Sequence, residues 1–219
     1  MPTDSLREWS AFGISVLVVV VYQLWVNRVG RKRPERVART VHGQIRSDWA
    51  VALAAHPGSE VLAVQTLRNS LMSSTIVAST AALASLGTVS LAGPRLALAE
   101  LNSDNFSVRS ASVLLLLMVL FASFVAAAIA MRYFSHAGYM MGFPVGSPER
   151  ATVTPIAAAY VRRAGHHYSW SLRLFFFVAP PVVGLLSPIF MPFAAIALVV
   201  ALRRFDTPPA GRIPGALSD

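Results

Sequence analysis

Five histidines, a set of clustered arginines and a run of hydroxyls are the side chains here that could do chemistry; the chain has no cysteine. His42, His56, His136, His166 and His167 are the candidate metal or haem ligands. None falls in the middle of an apolar stretch, and no His-x3-His pair or neighbouring carboxylate completes a ligand set. His166 and His167 are adjacent, so on a helix their side chains diverge by about 100° and do not share one metal. No metal and no cofactor is expected. The sequence also lacks a phosphate-cradling glycine loop and a Gly-x-Ser-x-Gly elbow, so no catalytic residue is assigned and the chain is not read as an enzyme.

The more productive chemistry is anion binding. Gln65, Arg68, Asn69 and Met72 fall on one helical face. A guanidinium fork beside two amides suits an anion or a lipid phosphate; the competing reading is a snorkelling arginine with structural amide bonds. Arg132 and His136 lie four apart, and His166, Trp170 and Arg173 follow a similar spacing. Gathered together, Arg68, Arg132, His136, His167 and Arg173 would ring a cytoplasmic vestibule and draw anions to it. Five separate interfacial anchors are the plainer alternative. Ser70, Ser73, Ser74, Thr75, Ser79, Thr80 and Ser85 either pack by bonding to a helix backbone, the favoured reading, or line a hydrated path.

Positioning these groups falls to four apolar stretches, Ala11–Val26, Leu71–Ala92, Ala111–Met131 and Leu172–Leu202. A bilayer core asks for about 20 apolar residues, and a segment crossing it must close its own backbone hydrogen bonds, so each is read as a helix. Hydrophobic residues make up 55% of the chain and charged ones 13%, with a mean hydropathy of +0.57. Those values exclude an ordinary soluble enzyme. The net charge of +9 sits at the ends of apolar segments. That placement points to the lipid bilayer and its anionic head groups as partners, and away from nucleic acid.

The first span runs about Trp9–Val26, with Trp9, Tyr22 and Trp25 as interfacial anchors. Val37, Val41, Ile45, Trp49 and Leu53 then recur every four residues. They predict a basic amphipathic helix, lying on the membrane surface or packed on the rest of the protein. Ser59 and Glu60 open a long helix that Gly93-Pro94 closes, and Asn102, Ser103, Asp104 and Asn105 supply the next turn. After the third span, Gly142–Pro148 is a loop, and Thr154-Pro155 reads as a cap opening Ile156–Arg163. Pro180, Pro181, Gly184, Pro188 and Pro192 interrupt the last apolar region, which is one kinked span or a hairpin of two shorter helices. Small residues spaced by four, Ser74, Ala78 and Ala82, and Ala122, Ala126 and Ala130, are candidate packing faces.

Basic residues set the orientation. Thirteen fall in the first and third connections, and only Arg7, Arg95 and Arg109 precede the first span or occupy the second connection. The basic connections are expected in the cytoplasm and the amino terminus outside. Four crossings would also place the carboxy terminus outside; Arg203, Arg204 and Arg212 favour the hairpin, which returns it.

The phrases Val61–Ser70 (containing Gln65-Thr-Leu-Arg-Asn69), Arg132–Tyr139 and Arg163–Arg173 resemble the family called domain of unknown function 599. The resemblance covers nearly all of the chain after Gly30. It implies a small multi-span membrane protein with about four membrane helices, here in a bacterial cytoplasmic membrane, and it implies no activity. The tail 207–219 matches nothing and is expected to be disordered.

The expected fold is an all-α integral membrane protein forming one unit over residues 1–206, with four transmembrane helices, the last kinked or a hairpin, and cytoplasmic amphipathic helices. The leading function is an oligomeric, anion-attracting pore or small-molecule passage. An accessory subunit of a larger membrane complex is the alternative, and a redox protein using histidines and Tyr168 is the third.

Overall fold

In a computed structural model the chain is helical, with no strand among the residues it describes, 2–101 and 106–207. The helices are α1 (Pro2–Lys32), α2 (Ala38–Ala54), α3 (Glu60–Leu101), α4 (Val108–Met141), α5 (Pro148–Phe176), α6 (Ala179–Leu186) and α7 (Met191–Asp206). Short 3-10 turns at Pro34–Arg36 and Pro188–Phe190 precede α2 and α7. The expected turn at Asn102–Asn105, and the tail beyond Thr207, lie outside the described residues.

Among the described residues five helical segments are long and apolar enough to cross a membrane, one more than the four expected: Asp4–Lys32, Glu60–Pro94, Val108–Met141, Pro148–Leu186 and Pro188–Asp206. The extra one is the return arm of the proline-rich region. Pro180 and Pro181 have no N–H to offer the carbonyls of Phe176 and Phe177, so the α-helix is interrupted at Phe177 and Val178. Pro188 likewise offers nothing to the Gly184 carbonyl, and Ser187 goes extended at φ −155° and ψ 110°. The chain then doubles back, because the Phe205 ring stacks on Phe176 at 6.3 Å. A Cβ on Gly184 would stand 2.8 Å from Ser112 Oγ and 3.0 Å from Met191 Sδ, so glycine permits the close approach at the bend.

Two local expectations are corrected. Pro94 does not close α3, which continues to Leu101 and reaches 42 residues. The proline costs the Ser90 carbonyl its helical donor and leaves the rest of the ladder intact. Thr154-Pro155 does not open α5, which starts at Pro148; Ser147 Oγ accepts from the Arg150 N–H and makes the start. Pro155 is carried inside the helix, where the Thr154 hydroxyl donates to the Arg150 carbonyl.

The described chain divides into two compact bodies. The first holds the chain up to Arg28 with 77–125 and 171–205; the second holds 29–76 and 126–170, with the chain from Asp206. The first body has Ala81, Leu116 and Leu120 at its core, with Phe175, Val178 and Leu185 packed against them. Its buried hydroxyls are satisfied: Ser15 and Ser112 bond back to the carbonyls of Ala11 and Val108, and Ser123 donates across to the Ser171 carbonyl at 2.8 Å.

The second body is built on alanines. Ala63 and Leu67 of α3, Ala130, Phe134, Ala137 and Met141 of α4, and Ala157, Val161 and Ala164 of α5 form its core. Helix α2 closes it, burying Ala50 and packing Trp49 and Leu53 on the same cluster. The basic helix thus packs on the rest of the second body through its apolar side. Arg39 lies over the Trp170 ring at 5.0 Å, and a Cβ on Gly165 would stand 2.9 Å from Arg46 Cδ and Cζ. Burial pulls the Arg46 guanidinium below its ordinary range, the neighbouring Tyr168 offsetting part of that.

Gly184→Val would push branched carbon into Ser112 and Met191, both of them buried. A loss of about 1–3 kcal/mol is expected, read as an earlier thermal unfolding midpoint in detergent; Ile189→Val, on an exposed side chain of the bend, should change little.

Candidate functional site

Gln65, Arg68 and Asn69 are all exposed, while Ala63, Leu67 and Ser74 on the same helix are buried. The division follows from helical geometry. At about 100° per residue, Gln65 lies about 200° around from Ala63, so the amides and guanidinium look away from the core that α3 shares with α4 and α5. The same side continues through Met72, Ile76, Ser79, Thr80 and Leu83, all exposed. Only 11% of the apolar centre of α3 is covered by the rest of the chain, against 39% for α4.

Most hydroxyls of α3 bond to their own helix: Ser70, Ser73, Ser74, Thr75, Ser85 and Thr88 each donate to the carbonyl four residues back, at 2.7–3.1 Å. Thr75 also reaches Met131 Sδ at 3.0 Å. Of the small-residue faces, Ser74, Ala78, Ala126 and Ala130 are buried, and Ala82 and Ala122 are half-buried.

A second cluster occupies α4 and α5 within the same body. His136 packs against Tyr160 at 6.2 Å, and Tyr160 against Tyr133 at 5.3 Å. Tyr133 stacks on His167 at 5.8 Å with 23° between the planes, and His167 meets His166 edge-on at 5.8 Å. His166 leads on to Trp170 at 6.5 Å, under the Arg39 guanidinium. These contacts join side chains of α2, α4 and α5, each aromatic pair adding about 0.5–1.5 kcal/mol beyond its buried area. Sequence reasoning used His136 and His167 but missed Tyr133 and Tyr160. Tyr133 is three residues from His136, and Tyr160 is seven from His167, so helical-face arithmetic contained the signal.

The five side chains of the supposed vestibule are distributed differently. Arg68 is on the outward side of α3, Arg132 and His136 are exposed on α4, and His167 is engaged by Tyr133. Arg173 belongs to the first body, where it is 7% exposed with its guanidinium 5.8 Å from the Tyr22 ring centroid. Among the described residues no three His, Cys, Asp or Glu side chains gather as metal ligands.

Arg150 is the most enclosed charged residue, 2% exposed. Its Nη1 donates to the carbonyls of Met140, Met141 and Phe143, which are the end of α4 and the start of the loop that follows. A cation there meets the negative end of the α4 dipole and the carbonyls that lack helical donors. Glu60 Oε1 accepts from the Val145 N–H at 3.0 Å in the same loop, tying the start of α3 to it. The sequence carried no sign of this clamp, because Arg150 looks like one more cation in a basic connection.

The sequence model of a family described as "Protein of unknown function, DUF599" matches residues 10–209. No curated protein and no solved structure matches the chain.

Arg150→Met would leave those carbonyls without their donor. The expected cost is about 2–3 kcal/mol, seen as a lower unfolding midpoint together with faster proteolysis between Gly142 and Ser147. Unchanged stability would mean that the clamp does not hold the loop.

Proposed function

Because this chain belongs to the DUF599 family, whose description hands down no activity, we propose a role from its own geometry: a multi-pass membrane protein that self-associates through the outward side of α3 and draws anions to the seam between copies. The observation that supports this is the exposure of Gln65, Arg68 and Asn69 on the long apolar helix that its own chain covers least among the described spans. Directed away from the core, these three side chains can line a passage only where a second copy, or another polypeptide, faces them. Arg68 supplies the attracting charge, and the Asn69 and Gln65 amides take the place of water around a dehydrating anion.

The membrane in question is the cytoplasmic membrane of a bacterium, with the amino terminus outside. The choice of membrane rests on the family resemblance and the composition, and the orientation on the distribution of basic residues. Five crossings carry Arg203 and Arg204 to the same side as the basic connections, which removes the objection that four crossings raised.

The absence of native cysteine makes the test direct. In vesicles, Ser79→Cys on the exposed side of α3 should form disulfide-linked dimers on mild oxidation, and the buried Ser74→Cys should not. Halide efflux from the same vesicles should fall about tenfold in Arg68→Ala and remain at the parent rate in Arg7→Ala. Efflux unchanged by Arg68→Ala would end the passage reading. A stoichiometric foreign polypeptide retained in native detergent, with no Ser79→Cys dimer, would instead make the chain an accessory subunit.

A further inference from the structure

We propose that the ring-lined surface of α4 and α5 is a docking site for the head group of an anionic phospholipid. Its middle is aromatic, with Tyr133 and Tyr160 5.3 Å apart and the His167 ring stacked on Tyr133. Its rim carries two fixed cations, Arg132 on α4 and Arg163 on α5, with the His136 and His166 imidazoles beside them, all four exposed. Arg163 follows Tyr160 by three residues and precedes His167 by four, so it shares their side of α5.

Charge complementarity names the occupant. Between Asn105 and Phe205 the sequence holds one carboxylate, Glu149, in the first turn of α5. No acid lies on α4, or on α5 beyond that turn, to neutralise the rim from within these helices. A phosphodiester carries the charge that two arginines recognise through forked donors. Tyrosine and tryptophan suit the depth at which glycerol and head group meet, having an apolar body and a polar tip. The position along the chain agrees. Trp170, at one end of the ring contacts, is the last residue of the second body before α5 enters the apolar first body at Ser171. This reading is independent of the α3 seam, since none of its residues lies on α3.

The test titrates the purified protein in uncharged detergent with a short-chain phosphatidylglycerol, the matching phosphatidylcholine, and inorganic phosphate, following thermal unfolding. A saturable rise in the unfolding midpoint is expected with the anionic lipid alone. The double variant Arg132→Gln, Arg163→Gln alters only exposed side chains outside the ring contacts and should bind at least about tenfold more weakly, with the lipid-free midpoint unchanged. The control Arg31→Gln, Arg33→Gln removes as many arginines elsewhere and should bind as the parent does. An equal rise with phosphatidylcholine would overturn the proposal, as would an equal rise with phosphate, which would mark a free-anion site. So would parent-like binding by the double variant, or loss of binding by the control. Each of these results leaves the cross-linking at Ser79 free to come out either way.

Discussion

A peptide group without a hydrogen-bond partner in hydrocarbon costs several kcal/mol, and much of this structure follows from that penalty. It makes helices the only local form for the apolar stretches. It also explains the behaviour of serine and threonine. In water a hydroxyl competes with the helix backbone; here Ser15, Ser74 and Ser112 are buried and donate to the carbonyl one turn back. Polar side chains are thereby made tolerable inside packed helices without water. Prolines show the same rule from the other direction. The cost of Pro94 and Pro155 is one carbonyl each inside long helices. Pro180 with Pro181, and then Pro188, concentrate the losses within a few residues, and there the helix gives way to a hairpin.

Length supplies the second constraint. At 42, 34 and 29 residues, α3, α4 and α5 are about 63, 51 and 44 Å long, where the hydrocarbon is about 30 Å thick. The surplus turns cannot stay in lipid. The second body takes in 60–76, 126–141 and 148–170 of these helices, with alanines at its contacts, arginines and imidazoles around them, and a basic helix fastened on by Arg39 over Trp170 and Arg46 over Gly165. Alanine lets helices approach closely, and what it gives up in buried area is partly restored by the aromatic contacts beside it.

Much of this was legible from the residues alone. Apolar length gave the membrane helices, Gly142–Pro148 the loop between α4 and α5, and the cluster of prolines a break whose two outcomes could not be separated. What separated them was the Phe176–Phe205 contact, a long-range fact that no local rule contains. Pro94 misled because a proline's one lost bond was treated as a stop, although nothing else there opposed the helix. The direction in which the face of Gln65, Arg68 and Asn69 looks was not legible. Periodicity says which side chains share a face; it does not say which face is inward, and Ala63, Leu67 and Ser74 outcompeted Gln65, Arg68 and Asn69 for the core. Arg150 was invisible because its role depends on carbonyls, which sequence does not distinguish.

The charge distribution then needs an account outside the chain. Residues 106–205 carry eight arginines, all but Arg150 and Arg173 exposed, and the single acid Glu149. Exposed cations repel one another only weakly in water at physiological salt, where fields fade within about 8 Å, so such a surface is cheap on an isolated protein but gains nothing there. Beside a leaflet of anionic lipid each arginine gains about 1 kcal/mol. An arrangement that keeps acids away from α4 and α5 preserves that gain in full, whereas internal salt bridges would cancel it for a return of between zero and about 1 kcal/mol per exposed pair. Scarcity of acid is thus the more economical state for helices set beside anionic lipid.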